Sequence, residues 1–284
     1  MNPMRIIFNG DDFGLSHGIN RGIMDCLAHG LLTSTSIAAC GAAAAEAMEF
    51  LRECHGCDHG VHLVLSDESP LLSRGQISSL PFRGCRLASR RALTAALFAG
   101  KIRFDQVEAE WRTQIERVLA SGLSPSHLDS HQFVHLLPGL YRLCLKLAED
   151  YRIRHVRRRV WDIPTLEAGT GRLLQYLALK GWSSFYPAFF PGNDAAHVVT
   201  AGFLRAGGRW SRTGVLASMD RLQRRRTDVV LEIMLHPGYA EASVPEHYRH
   251  WGYRWEEDLE LLTDPWLASG IEARNAELIS FRDL

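Results

Sequence analysis

The feature that most constrains this chain is a recurring pair: a short apolar run that stops on polar or titratable residues, then a stretch of helical period. Arg5-Ile6-Ile7-Phe8-Asn9 empties into Gly10-Asp11-Asp12-Phe13-Gly14, the pattern of a buried strand running into a loop. Ser16 then caps a helix reaching roughly His29, with Ile19, Ile23 and Leu27 at helical spacing and Gly30 as the stop. Thr33–Cys40 is strand-like, Ala42–Arg52 helical and His59–Leu65 a strand again, so the first 65 residues read β-α-β-α-β.

From about Ser66 to Arg90 no period holds and Ser, Pro and Gly rise, which predicts a long surface loop over one end of the strands. Helical stretches Ala88–Phe98 and Phe104–Ser121 follow. Ser126–Ser130 is a strand end, Pro138–Glu149 a helix and Ile153–Val156 a strand. Residues 160–225 hold aromatics, Gly, Pro and arginines without a clear period. Val229–Leu235 is a buried strand ending at His236-Pro237-Gly238, and helical Trp255–Thr263 and Ile279-Ser280-Phe281 close the chain. Alternation of this kind predicts an α/β protein with mostly parallel strands covered on both faces. At 284 residues, one large domain spanning 1–284 is expected.

Lys+Arg and Asp+Glu both number 32, so no global field recruits nucleic acid or a membrane surface. The apolar stretches are strand-length, so no integral membrane segment is expected, and Met1–Arg5 leads into a strand without a signal-peptide core, which reads as cytoplasmic. Six cysteines scattered through such a chain argue against a disulfide framework. Cys54-His55-Gly56-Cys57 alone has ligand-like spacing and lacks the second half of a zinc site.

The chemistry concentrates at strand C-termini: Asp11-Asp12, His62, His127-Leu128-Asp129-Ser130-His131 with His135, and His236. A strand buried on both faces has little reason to end in a titratable side chain, and four strands here do. Two imidazoles and one carboxylate make a facial ligand set with open positions for water, and Asp12, His62 and His131 fit it. Consecutive extended residues diverge, so Asp11 is expected to point away from Asp12 and to act as base, with His236 on a distant strand supplying the acid. Asp129 and His127, flanking His131, suit hydrogen bonds that fix its tautomer, and a polar strand end satisfied by backbone is the competing reading. His135 is expected to contact substrate or support a ligand rather than to ligate.

The blocks Asn9–Ser16, Gly60-Val61-His62-Leu63, His127–His135 and Glu232–Gly238 resemble the YdjC-like carbohydrate deacetylases, in order along nearly the whole chain. The resemblance implies a distorted TIM-like (β/α) barrel and metal-dependent removal of acetyl from an N-acetylated amino sugar, a small-molecule substrate. It implies metal ligands Asp12, His62 and His131, general base Asp11 and general acid His236. One divalent ion is expected; two imidazoles favour zinc, cobalt or manganese by softness, and the family allows magnesium. Two departures stand out. Gly10 replaces an alanine frequent before the Asp pair, and Gln132 and Phe133 replace the inner histidines of the family's DSHHHVH.

Arg152, Arg154, Arg157, Arg158 and Arg159 form a cationic run, with a second at Arg221 and Arg224–Arg226. A solvated face is the ordinary reading. The functional reading is a bidentate grip on an anionic substrate such as a phosphate- or nucleotide-linked sugar, with Arg154, at a strand end, as the chosen residue. Trp161, Trp182, Phe185, Tyr186, Phe189 and Phe190 read as core, sugar-stacking surface, or an apolar patch for a lipid tail or the partner subunit of a homodimer. Two other readings compete: a non-haem metal enzyme of another reaction class using the same ligand set, and a non-catalytic polyanion binder using the Arg152–Arg159 patch.

Overall fold

The computed structural model describes residues 3–54, 56–164, 169–189, 197–224, 229–240, 248 and 251–284. In chain order the elements are β1 (Met4–Phe13), α1 (His17–His29), β2 (Ser34–Ile37), α2 (Ala44–Glu53), β3 (Asp58–Leu63), β4 (Phe82–Arg83), β5 (Arg86–Leu87), α3 (Arg90–Phe98) and α4 (Phe104–Ala120). They continue with β6 (His127–Ser130), α5 (Leu140–Asp150), β7 (His155–Val156), α6 (Thr170–Phe189), β8 (His197–Ala201), α7 (Arg212–Gln223), β9 (Val229–Leu235), α8 (Trp255–Leu262), α9 (Pro265–Glu272) and β10 (Ala276–Leu278).

Seven parallel strands run in the order β7-β6-β3-β2-β1-β9-β8, with β10 added beside the start of β1. The two ends of this sheet meet: Val160, just past β7, bridges Thr200 of β8, with Thr200 N–H donating to Arg159 O and Trp161 N–H to Thr200 O. The curled sheet thus comes round on itself, with helices outside, which bears out the expected α/β barrel of mostly parallel strands.

Local sequence explains the frame. Apolar residues fill both faces of β1 because helices cover one face and the barrel interior the other. Ser16 caps α1 by accepting from Ile19 N–H, and Gly30 ends it. The stripe Val107, Trp111, Ile115 and Val118 of α4 is fully buried, each large side chain contributing about 1.5–3 kcal/mol by leaving water. A second cluster, with Phe133, Tyr176, Phe203 and Met234, includes residues lining the open end of the barrel.

Three expectations need correction. The stretch after Ser66 is an ordered cap rather than a featureless loop: it carries the β4–β5 hairpin, and buried side chains of α4 fasten it, Glu110 accepting from Leu71 and Leu72 N–H and Gln106 from Ser79 N–H. Within 160–225 the chain forms α6, β8 and α7, the strand paired to β9. Cys54 and Cys57 are joined in a disulfide at the end of α2, while Cys26, Cys40, Cys85 and Cys144 are free. His55, Phe190, Arg225 and Arg226, and the side chains of Phe185, Tyr186 and Phe189, lie outside the described residues. Among the described residues, no helix is long and apolar enough to cross a membrane.

Candidate metal centre

Of the residues singled out at strand ends, Asp11, His62, His131 and His236 line one open cleft of about 1470 Å³ at one end of the barrel, with Asp12 beside them. The first cause is a β-bulge. Opposite β2, Gly10 pairs with Thr35 and Phe13 with Ile37, so β1 carries one extra residue, and Asp12 takes a left-handed φ of 71°. Asp11 and Asp12 are therefore not consecutive extended residues: Asp12 shares one cluster of candidate ligand atoms with His62 and His131, and Asp11 a second with His62 and Asp129, the atoms of each lying within 4.8 Å of one another.

Asp12 stands at the centre. Its Oδ1 lies 3.0 Å from His131 Nδ1 and 3.2 Å from His62 Nε2, and its Oδ2 4.0 Å from His236 Nε2. Burial would raise its pKa, but the neighbouring His131 and His62 hold it well below the ordinary carboxylate range. Burial would depress His62, but Asp129 foremost, then Asp12, push it up to about 10. Asp12 Oδ2 and His131 Nε2 are buried with no hydrogen-bond partner. Two orphaned donor atoms beside an excess of carboxylates form a site that fits a divalent cation held by Asp12, His62 and His131.

Asp129 behaves as a supporting residue, though for His62 rather than for His131: His62 Nδ1 lies 2.9 Å from its Oδ1, and Ser36 Oγ donates to its Oδ2. His127 does not reach the site. It begins β6 at the opposite end, stacks on Phe281 at 4.0 Å and is pushed down to about 3 by burial. The reading of His127 as a strand-end residue outside the chemistry is the one that fits. His135 is buried, its Nε2 donating to Arg157 O at 2.6 Å and its Nδ1 accepting from Ser130 Oγ. Burial holds it down to about 4, so it is a neutral clamp on Arg157.

Arg154 is a correction. It precedes β7 instead of ending a strand, and it is exposed. The guanidinium that enters the site is Arg157, just past β7, whose nitrogens lie 2.6 Å and 2.7 Å from Asp11, 2.9 Å from Asp129 and 2.6 Å from Glu232. With Arg157 and Arg158 buried, the run 152–159 is no continuous cationic surface, which removes the patch a polyanion binder would use. Glu232, inside β9, balances Arg157 and accepts from Thr200 Oγ1. A lone acid in an apolar strand was its sequence signal. Asn9, donating to Asp11 Oδ1 at 2.8 Å, had none beyond its place at a strand end.

His236 follows β9 and packs edge-on against Tyr253, with Nδ1 unpartnered. Burial pushes it down, opposed by Asp12 and Asp11. Trp251 lies 4.9 Å from His131 and joins Tyr253 as an aromatic wall of the cleft, which sequence reasoning had left without a role.

Known proteins match this arrangement over nearly its whole length. A family model described as YdjC-like protein covers residues 5–273. A carbohydrate deacetylase of Geobacillus stearothermophilus is 29% identical, over 99% of this chain and 98% of its own. One from Halalkalibacterium halodurans is 30% identical over 94% and 99%. The crystal structure of a putative cellobiose-phosphate cleavage protein from Enterococcus faecalis has the same fold, with a TM-score of 0.75 at 24% identity and 99% coverage of both chains. The chain belongs to the YdjC-like family.

Proposed function

We propose that the protein is a metal-dependent hydrolase that removes the acetyl group from an N-acetylated amino sugar. The observation that carries this reading is the meeting of Asp12, His62 and His131 beside a second carboxylate, Asp11, and a further imidazole, His236, at one cleft floor. The relatives named carbohydrate deacetylases give the reaction class. A divalent ion bound there polarises the acetamide carbonyl and makes water acidic enough to attack it near neutral pH.

The chain's own residues do the rest. Asp129 fixes His62 through Nδ1 and leaves Nε2 toward Asp12. Asp11 takes the proton of the attacking water; Arg157 and Asn9 hold its carboxylate in place. His236 protonates the departing nitrogen, which cannot leave as an amide anion. Trp251 and Tyr253 present faces on which a sugar ring stacks.

The test is direct. Metal-stripped protein, reloaded with zinc, cobalt, manganese or magnesium, is incubated with a panel of N-acetylated saccharides, and acetate and the mass loss of one acetyl group are followed. Release that requires the metal and is lost in Asp11→Asn supports the reading. Release indifferent to chelation and to Asp11→Asn contradicts it.

A further inference from the structure

Five arginines stand around the mouth of the cleft above this centre: Arg83 and Arg86 on the β4–β5 hairpin, Arg90 and Arg91 opening α3, and Arg172 in the first turn of α6. Among the described residues, none of the five forms an ion pair. Three of them are half-buried: Arg86 has Glu68 as an electrostatic neighbour, and the other two are held by neutral groups. Arg90 donates to Gln175 Oε1 at 2.5 Å and to Gln132 O at 3.5 Å, and Arg172 to Ala206 O at 3.0 Å. Burial works against the charge of both, as do Arg91 and Arg172 at Arg90 and Arg209 at Arg172, while Tyr253 and, at Arg90, Asp67 favour it. Guanidinium groups gathered at one partly sheltered mouth are stabilised by an anion that accepts from several at once.

The backbone at the mouth has the same polarity. Ser89, Arg90, Arg91 and Ala92 line the cleft with the first turn of α3, and the Ser89 side chain makes no cap bond to that turn. Gly171 and Arg172 line it with the first turn of α6. Each helix start offers unpaired N–H groups and the positive end of a helix dipole, a setting for one phosphoryl group. Two helix starts, each with its own half-buried arginine, suit two joined phosphoryl groups better than one.

We propose that the cleft mouth is a diphosphate subsite, and that the substrate is an N-acetylated sugar joined to its carrier through a diphosphate. One phosphoryl group meets Arg90 and Arg91 at the start of α3 and the other meets Arg172 at the start of α6, while the acetamide reaches Asp11, His131 and His236 on the floor. This rests on the deacetylase reading for the chemistry, but not for the binding. Nucleoside and polyprenyl carriers share the diphosphate, and the mouth leaves room for either.

Calorimetry on the full chain with inorganic pyrophosphate and with orthophosphate tests the subsite without catalysis. Pyrophosphate is expected to bind at least about 10-fold more tightly than orthophosphate, more weakly as salt rises, and roughly 10-fold or more weakly in Arg90→Gln and in Arg172→Gln, the loss of a charge-assisted contact. Equal binding of the two anions, or of pyrophosphate by wild type and both variants, overturns the proposal. Kinetics then compare a nucleoside-diphosphate N-acetyl sugar, a short polyprenyl-diphosphate N-acetyl sugar and the free sugar. A lower KM for a diphosphate substrate, raised by Arg90→Gln, supports the proposal and its carrier names the source; equal KM values for all three overturn it. Pyrophosphate binding through Arg90 and Arg172 in a protein that deacetylates none of the three keeps the subsite and sinks the deacetylase reading instead.

Discussion

Arg157 grips Asp11 with both terminal nitrogens, Nη1 2.6 Å from Oδ2 and Nη2 2.7 Å from Oδ1, inside the barrel where neither side chain is open to solvent. The same guanidinium reaches Asp129 and Glu232, so one cation ties β1, β6 and β9 together behind the centre. Its pKa rises well above the ordinary value, burial being outweighed by Asp11, Asp129 and Glu232. Removing the charge leaves buried carboxylates uncompensated. Arg157→Met is expected to cost about 3–5 kcal/mol, read by denaturant unfolding. Arg157→Lys keeps the charge but not the fork, and is expected to fold while kcat falls about tenfold or more with KM little changed. Wild-type kcat in Arg157→Lys would contradict a role in holding Asp11.

His135 acts through Arg157, since its Nε2–H is donated to the Arg157 carbonyl. His135→Phe removes that donor and leaves a buried acceptor unpaired, at a cost of about 1–3 kcal/mol. His135→Gln, which keeps a donor, is expected to recover part of both stability and kcat. Equal behaviour of the two variants would argue against the hydrogen bond.

The two proton-handling residues separate from the ligands in a metal-binding assay. Asp11→Asn and His236→Ala are each expected to lower kcat about 10²–10⁴-fold. Both should still bind one divalent ion per chain, whereas His131→Ala should not. Loss of the ion in His236→Ala would move that residue into the ligand set.

Asp258 gives the pH dependence. Its carboxylate is fully buried and accepts from His236 N–H at 3.0 Å, while burial pushes its pKa up to about 7 from an ordinary 3.8. A carboxyl raised on folding contributes stability that is complete below the unfolded value and is lost as pH rises through the folded one. Between about pH 4 and 7 each unit therefore removes up to about 1.4 kcal/mol through this group. Asp258→Asn should lose that slope, so its stability relative to wild type should improve from pH 4 to pH 8. A constant difference across that range would show that the carboxyl does not titrate there.

Much of this was legible because strand ends are where parallel sheets show their chemistry. Asp12 and His236 each follow an apolar run that marks the position without any knowledge of the neighbours, while His62 and His131 are marked by titratable residues gathered in and after short strands. What sequence could not show depends on register. Arg157 sits in a run of arginines, and only the length of β7, two residues, decides that it and not Arg154 turns inward. The left-handed backbone of Asp12 goes with a bulge set by pairing with β2, and the partner of Asp129 depends on the pairing of β6 with β3, which puts Asp129 opposite His62. Of the arginines at the cleft mouth, Arg83, Arg86, Arg90 and Arg91 lie close together in sequence, but Arg172 joins them from a distant segment that no local pattern links to them.

The central claim is that one cation held by Asp12, His62 and His131 drives removal of the acetyl group. Cobalt titrated into metal-stripped protein, with acetate release followed at each addition on an N-acetylated sugar that the loaded enzyme accepts, tests it most directly. Activity should rise in proportion to bound cobalt and level off at one ion per chain, and Asp12→Ala should neither bind nor turn over. Full acetate release from the stripped protein, or from Asp12→Ala, would contradict the account.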